Sequence, residues 1–245
     1  RTAPMKITTI LGTRPEIIRL SRIIAGLDKL CQHVLVHTGQ NYDIRLSDIF
    51  FQQMGVRQPN YTLEAKGSFG VQVGQILARS EEVLTKEKPD AILILGDTNS
   101  GLIAVVAKRM GIPVFHMEAG NRCFDDRVPE EINRRIIDHS STILLPYTNN
   151  SKENLVREGI PLNRIYVTGN PIWEVISSHQ KSIAQSEALK NLGLKAKQYF
   201  LVTLHRAENV DNESRLRSFV KALEKLGEQY GLPIVCSLHP RTKEK

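Results

Sequence analysis

Short blocks of almost unbroken Ile, Val and Leu recur along this chain, and the stretches between them carry helical spacing. "KITTILG" (6–12), "HVLVHTG" (33–39), "DAILILGD" (90–97) and "IPVFHME" (112–118) are such blocks. A strand with one face in water alternates apolar and polar residues, so continuous apolar strands require cover on both faces. The intervening text supplies that cover. "TRPEIIRLSRIIAGLDKL" repeats Ile17, Leu20, Ile24 and Leu27 at helical spacing, a helix crosses Ile44 to Met54, and another runs through Val71, Gln75, Leu77 and Val83. "NSGLIAVVAKRMG" is a helix ending at Gly111, while "STILLPY" and "RIYVTGN" read as two more strands, each followed by a polar helical stretch. Strand and helix in alternation predict an α/β fold with a doubly wound parallel sheet.

Residues 5–175 form the first domain in this reading, and 176–198 are a polar connector. At 199 the rhythm restarts with "YFLVTLHR", a helix over "SRLRSFVKALEKLGEQYG" and the strand "LPIVCSL". Two strands and one helix do not close a doubly wound sheet, so 199–245 reads as the start of a truncated second domain. Arg1 to Pro4, ahead of Met5, read as a short extension.

The net charge of +7 would suit nucleic acid or a phosphorylated ligand. Basic residues are mixed with acidic ones, aromatics make up only 6%, and no nucleic-acid motif appears, which favours a small phosphorylated ligand. No apolar run reaches the roughly 18 residues that cross a bilayer, so a cytoplasmic protein is expected. Cys31, Cys123 and Cys236 are odd in number and far apart, which predicts reduced thiols and no metal site.

In a parallel sheet the ligand crevice lies beyond the carboxyl ends of the strands. After the first strand, Arg14 falls at a helix N-terminus with free N–H groups, where it either binds phosphate or pairs with Glu16. No GxGxxG fingerprint is present. After the second, Gln40 and Asn41 contact a sugar nucleotide or form an Asx-type turn with Asp43. Asp97 either caps the next helix or, if Thr98, Asn99 or Ser100 caps instead, faces the crevice. Glu118 at a strand terminus among small residues is hard to explain by packing, although Arg122 could pair with it. Glu130 and Glu131 sit in a first helical turn, where acids offset the dipole, with Arg134 and Arg135 at i+4. His205 and Arg206, with His239 and Arg241 at the next strand exit, suit a diphosphate or form a surface ion-pair cluster.

"GTRPE", "GDTNS", "HMEAG", "VPEEINRR", "VTGNP" and "HRAEN", collinear over nearly all of residues 5–245, resemble the non-hydrolysing UDP-N-acetylglucosamine 2-epimerases. The resemblance implies a glycosyltransferase-B-like fold of two Rossmann-like domains, a homodimer, no added cofactor and a UDP-amino-sugar substrate inverted at C2. It makes Asp97, Glu118 and Glu130 the acid/base carboxylates and adds His205 to the catalytic set. Arg14 and His205 would hold the sugar nucleotide and its diphosphate, with Gln40, Asn41, Arg206 and His239 as further contacts. Glu131, Asp125 and Asp126 are left with structural roles. The family's main uridine contacts lie beyond Lys245. "TGQNYD" replaces the Gln-His-Arg motif linked to allosteric activation. "GTRPEIIRLS", "HTGQNYD" and "HMEAGNRCFD" are most similar to the capsule and O-antigen branch that makes UDP-N-acetyl-L-fucosamine. A UDP-sugar-dependent glycosyltransferase and an inactive ligand-binding fragment are the alternatives.

Overall fold

The computed structural model describes residues 4–40, 44–204 and 211–237. They divide into two compact units, residues 1–179 and 180–245.

The first unit holds a six-stranded sheet of β1 (Lys6–Leu11), β2 (Gln32–His37), β3 (Tyr61–Thr62), β4 (Ala91–Leu95), β5 (Val114–Met117) and β6 (Ile143–Leu145). The spatial order is β3-β2-β1-β4-β5-β6, and every pairing is parallel. The order reverses direction between β1 and β4, which is the Rossmann-like arrangement with its crevice at that switch. Among the described residues the α-helices that accompany the strands are α1 (Arg14–Leu30), α2 (Ile44–Gln53), α3 (Phe69–Glu87), α4 (Ile103–Arg109), α5 (Pro129–Ser140), α6 (Asn149–Arg157) and α7 (Ile172–Ser178).

Successive strand residues serve opposite faces, as the pleat demands. Ile10, Val34, Val36, Ile92, Ile94 and Val114 pack into one core with Ile103, Ala104 and Ala107 of α4 and Ile137 of α5. Their neighbours Leu11, Leu35, Leu93, Leu95 and Met117 pack into the other with Ile17, Leu20 and Ile24 of α1 and Phe51 of α2. Each fully buried Leu or Ile contributes on the order of 1.5–3 kcal/mol, which fixes the register of both faces at once.

The register aligns the strand exits. Leu95 lies opposite Met117, and Met117 opposite Leu145. Gly96, Glu118 and Pro146 therefore leave the sheet side by side.

The second unit contains α8 (Gln180–Ala184), α9 (Ala188–Asn191), β7 (Phe200–Thr203), α10 (Glu213–Tyr230) and β8 (Ile234–Ser237). β7 and β8 pair in parallel around α10, making one βαβ unit. Asn212 caps α10, its side chain accepting from Arg215 N at 3.1 Å.

One expectation changes. "RIYVTGN" is not a strand, since Ile165 makes only an isolated bridge to Leu144. Tyr166 and Val167 are exposed, so the segment lacks the second covering layer that a parallel strand needs. The two-residue edge strand β3 is too short to leave a periodic signal.

Candidate active site

The turn from β1 into α1 is closed by its own acid. The Glu16 carboxylate accepts from Gly12 N at 3.0 Å, Thr13 N at 2.7 Å, Thr13 Oγ1 at 2.7 Å and Thr98 Oγ1 at 3.1 Å. Glu16 is 1% exposed, and burial pushes its carboxyl above the ordinary range despite those donors. The amides of Gly12 and Thr13 precede the first residue of α1, so Glu16 closes the turn that leads into the helix. Arg14 does not pair with Glu16; its guanidinium lies 5.4 Å from the centre of the Phe50 ring. Gly12 is required by close approach, because a Cβ there would fall 2.1 Å from Thr38 Oγ1 and 2.3 Å from Ser100 Oγ.

Gln40 turns its side-chain oxygen to Ser100, accepting from N at 3.3 Å and Oγ at 3.2 Å. Asn41 lies outside the described residues, as do Asp43, His205, Arg206, His239 and Arg241.

Asp97 does not cap the helix that follows β4; the cap position belongs to Thr98. Its carboxylate Oδ2 accepts from Arg134 Nε at 2.8 Å, and its backbone carbonyl accepts from Asn133 Nδ2 at 3.0 Å. Arg134 also donates from Nη1 to Glu131 Oε2 at 2.9 Å. The expected i+4 pair between Glu130 and Arg134 does not form, because the guanidinium is committed to Asp97 at the exit of β4 and to Glu131 on its own helix. Glu130 is exposed in the first turn of α5.

Glu118 has φ +65°, a left-handed conformation that costs a non-glycine residue on the order of 1 kcal/mol or more. The chain holds this geometry with Glu118 N donating to Leu145 O at 3.1 Å. The carboxylate pairs with Arg19 of α1, and Asn121 Nδ2 donates to its Oε1 at 3.2 Å. A Cβ on Gly96 would stand 3.6 Å from Glu118 Oε2 and 3.9 Å from Arg19 Nη2. Glu118 and Arg19 therefore lie over the residue that precedes Asp97. Beside Met117, a cavity of about 310 Å³ opens between Ile23, Asn170 and Trp173.

Arg122 does not pair with Glu118. It donates from Nη1 to Asp138 Oδ2 at 2.8 Å and forks onto Glu158 through Nε and Nη2, both at 2.7 Å. Asp138 also meets His116 Nδ1 at 2.8 Å, while His116 Nε2 lies 2.8 Å from Gly96 O. Burial pushes the Asp138 carboxyl up, but His116 and Arg122 outweigh it and the net direction is down. This network fixes both turns that carry Asp97 and Glu118.

Glu131 braces the loop after β5. It is fully buried and accepts from Cys123 N at 3.2 Å and Phe124 N at 3.0 Å. Burial pushes its carboxyl up, yet these amides and Arg134 bring it down to about 2. Asp125 pairs with exposed Arg127, and Asp126 with Arg135.

Arg19 and Tyr147 were not singled out in the sequence. Arg19 left a weak signal, a cation within two turns of a strand exit. Tyr147, just past β6, buries its hydroxyl without a hydrogen-bond partner, and burial pushes the phenol up to about 12. Among the described residues no group of three or more His, Cys, Asp or Glu side chains is placed to hold a metal ion, and no helix is long and apolar enough to cross a membrane.

A doubly wound sheet whose adjacent strand exits present Asp97 and Glu118, each beside an arginine, defines an α/β protein with paired carboxylates at its strand exits. Residues 27–245 match the UDP-N-acetylglucosamine 2-epimerase family, and the chain belongs to it. The UDP-N-acetylglucosamine 2-epimerase structure from Rickettsia bellii is 45% identical with a TM-score of 0.90, over 98% of this chain and 64% of that one. The Methanocaldococcus jannaschii UDP-GlcNAc 2-epimerase, solved with UDP-GlcNAc and UDP, is 44% identical with a TM-score of 0.88, over 98% and 67% of the two chains. The UDP-2,3-diacetamido-2,3-dideoxy-D-glucuronate 2-epimerase of Pseudomonas aeruginosa is 39% identical, over 98% and 68%. The chain thus spans about two thirds of the length of these relatives, and its fold class is the glycosyltransferase-B-like α/β class of the two solved structures.

Proposed function

We propose that the protein inverts C2 of a UDP-2-acetamido sugar by elimination and re-addition of UDP. The observation that carries this reading is the placement of the Glu118 carboxylate over Gly96, beside Asp97, at the exits of two adjacent strands.

The C2 proton of such a sugar is not next to a carbonyl, so direct exchange is prohibitively slow. Elimination avoids that barrier. One carboxylate takes the C2 proton as the electrons of the C2–H bond form the C1–C2 double bond and the C1–O bond breaks, releasing UDP and a glycal. UDP then adds back to C1 while an acid protonates C2 from the opposite face. The chemistry needs a base, an acid and cations on the departing diphosphate. In this reading Asp97, Glu118 and Glu130 supply the proton transfers, and Arg14 and His205 hold the UDP.

UDP-GlcNAc is the first substrate to assay, since the Methanocaldococcus jannaschii relative is a UDP-GlcNAc 2-epimerase solved with UDP-GlcNAc and UDP. UDP-2-acetamido-2,6-dideoxy-L-talose follows, because "GTRPEIIRLS" and "HTGQNYD" resemble the fucosamine branch. We also propose a homodimer, as the family resemblance implies, that works in the cytoplasm in bacterial surface-polysaccharide precursor synthesis.

The test is incubation of the complete protein with each sugar nucleotide alone in deuterium oxide. One solvent deuterium at C2 of the epimerised product is expected. A product without it would remove the elimination route, and release of UDP only in the presence of an acceptor would mark a glycosyltransferase.

A further inference from the structure

Arg134 spans two elements where a surface pair would join neighbours on one helix. Its Nε meets Asp97 Oδ2 at 2.8 Å at the exit of β4, while Nη1 meets Glu131 Oε2 at 2.9 Å on α5. The adjacent Asn133 donates to the Asp97 carbonyl at 3.0 Å and to Asn99 Oδ1 at 3.2 Å. Asp97 is therefore gripped twice, by main chain and by carboxylate, from consecutive residues of one helix. The far end of the grip is also fixed, since Glu131 is fully buried and tied to the amides of Cys123 and Phe124.

From this geometry we propose that Arg134 is a positioning residue for Asp97, anchored on Glu131, and that the first turns of α5 set the angle at which the Asp97 carboxylate meets the substrate. The inference rests on the reading of Asp97 as a proton-transfer group. An arginine suits the task because its planar fork directs N–H bonds at two carboxylates in fixed directions, which a lysine ammonium does not. A misplacement of about 1 Å in a reacting group can cost on the order of 10²-fold in rate, so a brace of this kind acts on turnover.

The test compares wild type, Arg134→Met, Arg134→Lys, Glu131→Gln and the Arg134→Met/Glu131→Gln double variant in the complete protein. Arg134→Met is expected to lower kcat about 10- to 100-fold with KM changed less than about 3-fold, and Arg134→Lys to recover only part of the loss. The double variant should be no slower than Arg134→Met, since both changes break one brace. Wild-type kcat in Arg134→Met, a raised KM at unchanged kcat, or fully additive losses would each overturn the proposal. Amide hydrogen exchange without substrate supplies an arm independent of activity. The amides of residues 97–100 should exchange at least about tenfold faster in Arg134→Met. Unchanged exchange overturns the brace itself. Faster exchange in a protein whose wild type epimerises none of the sugar nucleotides leaves the brace standing and overturns its catalytic role.

Discussion

Arg122 and Asp138 meet at 2.8 Å with neither side chain reaching solvent. Removing one partner of such a pair strands a buried charge, which costs about 3–5 kcal/mol. Arg122→Leu is therefore expected to lower unfolding stability by about that amount in urea titrations. A loss under about 1 kcal/mol would rank the contact with ordinary surface ion pairs.

Acid should erode the fold through the same region. The folded-state carboxyls of Glu131, Asp138 and Glu158 all lie below their ordinary values, Glu131 at about 2 against 4.5. A depressed acid contributes stability that is fully present above its unfolded value and is lost as the pH falls through the folded one. Glu16, raised by burial, acts in the opposite direction. Stability is expected to fall between about pH 5 and pH 2, and Glu131→Gln should flatten that slope in pH-dependent denaturation. An unchanged slope would show that Glu131 is not a source of it.

At Gly12, the new methyl of Gly12→Ala would collide with Thr38 Oγ1 and Ser100 Oγ, which are themselves hydrogen-bonded at 2.8 Å. A loss of about 1–3 kcal/mol is expected, seen as a lower melting temperature. No change would mean that the two hydroxyls separate freely.

The three carboxylates are expected to differ from their neighbours in kinetics. Asp97→Asn, Glu118→Gln and Glu130→Gln should each slow epimerisation by about 10²-fold or more, whereas Asp125→Asn and Asp126→Asn should stay within about 3-fold. Near-normal turnover in any of the first three removes that residue from the proton transfers.

Tyr147→Phe deletes a buried hydroxyl that has no hydrogen-bond partner. Stability should hold or rise by up to about 1 kcal/mol, because no bond is lost and a desolvated donor disappears. A loss of more than about 1 kcal/mol would reveal a partner formed in solution.

Elements with strong apolar repetition were legible in the sequence. The blocks at 6–12, 33–39, 90–97 and 112–118 became β1, β2, β4 and β5, and the spacing of Ile17, Leu20 and Ile24 gave the buried face of α1. Ion pairing was read less well. Helical spacing proposed Glu130 with Arg134, and proximity in the chain proposed Glu118 with Arg122. The structure pairs Arg134 with Asp97, 37 positions away, and Glu118 with Arg19, 99 positions away. Among local pairs, Arg134–Glu131 and Arg135–Glu131 do form on α5.

The sequence by itself determined the alternation of strand and helix, the two-sided burial of the sheet and the exits at which acids emerge. Those properties depend on side-chain periodicity, which is local. Tertiary structure alone decided which cation meets which acid, because the aligned exits of β4 and β5 bring α1 and α5 against the same edge. It also decided that Glu16 closes the turn between β1 and α1, since only the folded turn brings that carboxylate onto the amides of Gly12 and Thr13.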